Sequence, residues 1–176
     1  MFSLLGRKRT LVASTVLTVI FALLVFVIVD PYIQGEKGAN IVALQCSFDK
    51  SHADAVLQTW GSDAAARFNR SIWIDYLFAL VYPVAFASWL YFLAGRKGML
   101  SSVYCRSGIY IALSAGIFDW IEDSMELWYI NKISDLSGDF FFLHSLAAYA
   151  KFVAILTSIL CISFLLLNRT HPEERS

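Results

Sequence analysis

The chain has 176 residues, of which 58% are hydrophobic and 16% charged, with a mean hydropathy of +0.61 and a formal net charge of zero. Soluble domains carry about 25% charged residues, and the apolar excess here is gathered into long runs, which points to an integral membrane protein. The balanced charge leaves no basic footprint for a nucleic acid, and Cys46, Cys105 and Cys161 show neither CxxC nor Cys/His metal spacing. They read as small apolar fillers.

The first apolar run covers 10–29, behind the basic flank Arg7-Lys8-Arg9. It is longer than a signal-peptide core and lacks a small-x-small cleavage site, so an uncleaved span is expected. The stretch 30–70 follows as the long outer connection. Gly35 and Gly38 mark a turn, IVALQCSF reads as a short extended or re-entrant piece, and Val56, Leu57, Trp60, Ala64 and Phe68 recur at helical spacing. That spacing predicts an amphipathic helix over 52–69, lying on the outer interface or capping a bundle. Further spans are expected at about 71–94, 107–130 and 140–167, each meeting the roughly 20 residues a bilayer requires. A polar tail, 168–176, closes the chain. The expectation is one membrane domain, all-α, a four-helix bundle with an amphipathic helix in its first outer loop.

Lysine and arginine placement sets orientation. With the N-terminus inside, Arg7, Lys8, Arg9, Arg96, Lys97, Arg106, Arg169 and Arg175 fall on the inner side. Lys37, Lys50, Arg67, Arg70 and Lys132 fall outside. Both termini are therefore expected in the cytoplasm.

The third span carries Asp119, Glu122, Asp123 and Glu126, spaced i, i+3, i+4, i+7. On a helical wheel they fill one arc of about 100°. The same arc runs back through Gly108, Ala112, Ala115 and Gly116, small residues that admit a neighbouring helix. The acids thus face the bundle interior, since an acid facing lipid costs about 2.5–3.5 kcal/mol even on a lenient scale. Counting from the outer ends, Asp119 and Lys151 lie at equal depth, about 16 Å down, and form the expected ion pair. Asp75, Glu126 and His144 form an expected shallower layer, with Glu122 and Asp123 between. Tyr82 shares a face with Asp75, and Pro83 after it frees a carbonyl one turn back. Five carboxylates against one lysine and one histidine leave a surplus that is wet, protonated or offset by a bound cation.

These residues lie in a set of short motifs: TWG in the outer loop, IDYLFALVYP, FDWIEDSMEL and AYAKF. The pattern resembles a family of small bacterial four-span membrane proteins, over roughly residues 39–155. The resemblance implies a layout rather than an activity, and it marks Trp60, Gly61, Asp75, Phe78, Tyr82, Asp119, Glu122 and Lys151. Where that family often has Asn after the glutamate, this chain has Asp123. A looser similarity, at the level of fold alone, is to the four-span sterol isomerase and sigma-2 receptor superfamily.

Three functional readings follow. The first is a buried acidic pocket, open outward, that binds or acts on a small lipid-like or cationic molecule. The second is a proton- or cation-coupled transport component, for which one four-helix chain would need an oligomer or partner. The third is a structural subunit whose buried pair fixes helix register. No cofactor is implied. A zinc site of the usual kind is disfavoured, because only His144 lies within a span while His52 and His171 do not. An all-carboxylate calcium or magnesium site remains compatible with the acids, and Ser124 and Ser145 lie near enough to His144 to raise a catalytic serine.

Overall fold

The computed structural model describes residues 2–29, 31, 41–60, 64–132 and 137–167, and among these it is all-α. A short α1 (Phe2–Leu5) precedes α2 (Lys8–Leu23), which continues as a π-helical turn over Leu24–Val29. Two short helices, α3 (Ile41–Gln45) and α4 (Lys50–Thr59), lead into three long ones. These are α5 (Ala64–Arg96), α6 (Val103–Lys132) and α7 (Gly138–Leu167). At about 1.5 Å per residue, each exceeds the roughly 30 Å of a bilayer's hydrocarbon core.

Three stretches are long and apolar enough to cross a membrane: Lys8–Val29, Ala66–Arg96 and Gly138–Leu167. Their outward faces are those of a membrane protein. Val16, Ile20 and Phe26 on α2 and Leu146, Leu156 and Phe164 on α7 are all exposed, whereas Asp119, Glu122, Asp123, Glu126, His144 and Lys151 are buried. In water this distribution would be unstable, since apolar patches of that extent are not left bare. α6 matches its neighbours in length, but its four acids keep it below the hydropathy that the other three reach.

α5 is the hub. It packs along α6, along α2 and, less extensively, along α7, while α6 packs along α7. The small-residue stripe of α6 lies at the α5 contact, and Ala112, Ala115 and Gly116 are buried. The closest approach has a chemical reason. Pro83, inside α5, has no N–H to give the carbonyl of Ala79, four residues back. That carbonyl points at Gly116, where an added Cβ would come within 2.5 Å of it and 2.7 Å of Pro83 Cγ. Only glycine lets α6 close over the oxygen that the proline releases.

The outer end departs from expectation. The second long helix begins at Ala64, not near residue 71, and the helix expected over 52–69 is two pieces, α4 and the first turns of α5. α4 starts at Asp49, whose carboxylate accepts from the His52 N–H at 2.8 Å and the Ser51 hydroxyl at 2.6 Å. Those bonds hold the Asp49 carboxyl below the usual carboxylate range. Val56, Trp60 and Phe68 bury together with Val29, Leu44 and Phe141, so this region caps the bundle. The Trp60 and Phe68 rings lie 5.2 Å apart, and Arg67 Nη2 donates to the Trp60 carbonyl at 2.9 Å. IVALQCSF is helical over Ile41–Gln45 rather than extended. Just beyond it Phe48 takes a positive φ of 47° and its N–H donates to Ser145 Oγ at 2.9 Å, tying the cap to α7. Gly61, the Gly35–Gly38 turn and the tail 168–176 lie outside the described residues.

The Gly116 contact yields a direct test. Gly116→Ala should lower the detergent-solubilised unfolding temperature, by the roughly 1–3 kcal/mol of an overpacked core. Gly108→Ala, whose Cβ would meet only Leu90 Cδ1 at 3.6 Å, should leave it nearly unchanged. Equal effects in a thermal melt would refute the close-contact account.

Candidate functional site

The acids of α6 are held by helix geometry alone: four carboxylates on one turn-spaced stripe, each at or below 2% exposure. The stripe divides along its length. Glu122 and Glu126 lie to one side of the arc and gather with His144 of α7; Asp119 and Asp123 lie to the other and gather with Asp75 of α5. In each triad one ligating atom per residue lies within 4.8 Å of the others. Lys151 joins the two groups. Its Nζ donates to Asp119 Oδ1 at 2.9 Å and sits 2.6 Å from Glu122 Oε2. The second contact is an ion pair without hydrogen-bond geometry. The ammonium also lies 5.0 Å from the centroid of the Phe152 ring.

The expected Asp119–Lys151 pair therefore forms, with Glu122 as a second anion on the same cation. The expected shallow layer does not form as one unit. Glu126 and His144 do meet, with Oε1 to Nε2 at 3.2 Å, but Asp75 belongs with Asp119 and Asp123. The reason is the true start of α5. Asp75 lies eleven residues inside from Ala64, a depth close to that of Asp119 and Lys151, not the four residues that a boundary at 71 implies. Neither serine serves His144 as a nucleophile's hydroxyl would. Ser145 Oγ takes the Phe48 N–H, and Ser124 Oγ bonds the Tyr76 hydroxyl at 2.6 Å and the Trp120 carbonyl at 2.7 Å.

Glu122 Oε1 and both oxygens of Asp123 are buried with no hydrogen-bond partner among the described residues. Buried polar atoms are nearly always satisfied, so this is the most unusual chemical feature of the bundle. Just outside the bundle, burial raises the Cys46 thiol above its ordinary pKa and the nearby Glu122 adds to the effect.

Beside the acids lies a cavity of about 380 Å³. Asp75, Phe78, Tyr82 and Phe86 line it from α5, Asp119 from α6, and Lys151, Phe152 and Ile155 from α7. The α5 side is an aromatic ladder: Phe78 and Tyr82 have centroids 5.0 Å apart, and Tyr82 and Phe86 5.9 Å. Phe78 also stacks on Phe21 of α2 at 6.4 Å. The opposite wall comes from Thr18, Ala22 and Val25 of α2, and α3 covers one end with Ile41 and Gln45. Trp60, marked by the resemblance, is instead part of the cap and touches no cavity wall. The sequence reading missed the contributions of α2 and α3. Thr18 and Gln45, polar residues in apolar runs, were the available signals.

No protein-family model, curated protein or solved structure matches this chain.

Lys151 is the single cation within this cluster, and the cost of removing it follows. Lys151→Met should destabilise the protein by about 3–5 kcal/mol, the price of breaking a buried pair from one side. The triple variant Lys151→Met, Asp119→Asn, Glu122→Gln should recover most of that in the same chemical-unfolding assay. A triple variant no more stable than the single one would show that charge balance is not what the lysine supplies.

Proposed function

We propose that the chain is a four-span membrane protein whose cavity binds a small amphiphile, with the apolar part along the aromatic ladder and a polar or cationic group against Asp75 and Asp119. The cavity carries this reading: about 380 Å³, walled chiefly by apolar side chains, with its ionisable groups, Asp75, Tyr82, Asp119 and Lys151, supplied by α5, α6 and α7. Pockets for small molecules typically combine such walls with a few converging polar groups. Carboxylates in low-dielectric surroundings suit an amine or a developing positive charge.

α6 completes the four spans on this reading, its acids screened from lipid by α5 and α7. The distribution of lysine and arginine supports cytoplasmic termini and a bacterial inner membrane, with the α3–α4 cap and the outer ends of the long helices on the far side. The layout also fits the small bacterial four-span family that the motifs resemble. Membrane lipid is the nearest source of an occupant, and no second copy of the chain is needed to complete the cavity. A proton- or cation-coupled transport role is less supported, because the acids end in two closed triads rather than a chain running from face to face.

Two measurements test this. Native mass spectrometry of the purified protein should show a bound amphiphile that is lost in Ile155→Trp, which fills the cavity with an indole. A wild-type protein that carries nothing and takes up no long-chain amine would sink the pocket. For orientation, fluorescent-protein fusions should light at both termini in bacterial cells, whereas periplasmic phosphatase activity from either end would reverse the topology.

A further inference from the structure

We propose that Asp75, Asp119 and Asp123 form a binding site for one hard divalent cation, of the magnesium or manganese class, in the wall of the cavity. This goes beyond the identity of the cavity's occupant and bears on it: with the ion bound, the occupant meets Asp75 and Asp119 through an oxygen on the ion, and a cationic group there is excluded. The three carboxylates come from two helices and place one oxygen each within 4.8 Å of the others, a spacing that ligands around a single ion can adopt. All the donors are oxygen, which suits magnesium, manganese or calcium over zinc or copper. Three protein ligands fall short of the six to eight oxygens calcium takes and fit magnesium's habit of keeping several waters. Asp75 and Asp119 open on the cavity, which gives those waters, or an oxygen of an occupant, somewhere to sit.

The independent observation is Asp123. It is fully buried, at 0% exposure, and both of its carboxylate oxygens lack any hydrogen-bond partner among the described residues. A proton on Asp123 would let one oxygen donate to a neighbouring carboxylate and still leave the other without a donor. A cation satisfies both. Charge points the same way: Lys151 is shared between Asp119 at 2.9 Å and Glu122 at 2.6 Å, so the cluster keeps a surplus of carboxylates over cations, which a divalent ion reduces. The neighbouring triad, Glu122, Glu126 and His144, is the weaker candidate. Its histidine already lies 3.2 Å from Glu126, Glu122 holds Lys151, and none of the three lines the cavity.

The test is manganese titration of the full chain in detergent after chelator treatment, read by the loss of the free aqua-ion signal in electron paramagnetic resonance. Wild type should take up one equivalent, displaced by magnesium. Asp123→Asn, which keeps the volume of the side chain, should weaken binding by at least the roughly 10–100-fold seen when even outer partners of a metal are removed. Asp54→Asn, a surface acid paired with Lys50, should have no effect. Absence of saturable uptake by about 1 mM, the weak end of oxygen-ligand sites, would overturn the proposal, as would undiminished binding in Asp123→Asn. Should Asp123→Asn fail to fold, Asp75→Asn takes its place, since Asp75 is only partly buried. A wild-type melting temperature that does not rise with manganese is a further contrary result, because a ligand of the native state must stabilise it. The amphiphile is scored separately by mass, so manganese binding without it, or the reverse, shows which of the two readings has failed.

Discussion

Lys151 reaches from the middle of α7 to two carboxylates on α6, Asp119 at 2.9 Å and Glu122 at 2.6 Å. A charge buried in hydrocarbon surroundings is tolerable only when matched and solvated by the protein itself. The ammonium therefore constrains the whole interior. α7 cannot slide or rotate against α6 without stranding three charges. Apolar packing between membrane helices supplies little registration, because lipid tails are as apolar as leucine. Here register comes from the polar stripe and from the Gly116–Pro83 contact, which are separate devices on the same face of α6.

The two devices work at different heights. Next to Pro83, the absence of a side chain at Gly116 brings the α5 and α6 backbones together. Around Asp75 and Asp119 the cavity lies between α5, α6 and α7, and α2 and α3 complete its walls. The π-helical turn over Leu24–Val29 adds to this geometry, since Val25 and Phe26 from that turn face the cavity. Such wide turns are frequent at functional sites. Tight packing at one level and separation at the next is how a bundle of ordinary helices can keep an open volume within it.

Much of this was legible in the sequence. The acid stripe, the small residues behind it and the depth match of Asp119 with Lys151 follow from helical periodicity and counting. Even the division of the stripe was present on the wheel, with Glu122 and Glu126 to one side of Asp119 and Asp123 to the other. Where counting failed, the helix end was wrong. Residues 64–70, AAARFNR, include two arginines and an asparagine, so hydropathy places a membrane boundary near 71, yet the backbone is helical from Ala64. That shift moved Asp75 from the shallow layer to the deep one. The roles of α2 and α3 were not legible, because nothing in an apolar run says which neighbour it will meet. Trp60, a motif residue, lies in the cap core and not among the residues that line the cavity.

On the four-span reading, the acids have a consequence for how the protein enters the membrane. α2, α5 and α7 are apolar enough to partition into a bilayer unaided, and α6 is not. Four acids near the outer half of a helix oppose its transfer by several kcal/mol in total, and the one lysine that offsets them lies on the next helix, still to be synthesised when α6 emerges. The third span must therefore wait beside α5, or within the insertion machinery, until α7 arrives with Lys151. α6 and α7 would then enter as a hairpin with Lys151 already set against Asp119 and Glu122, so that biogenesis, and not only the folded state, depends on that lysine.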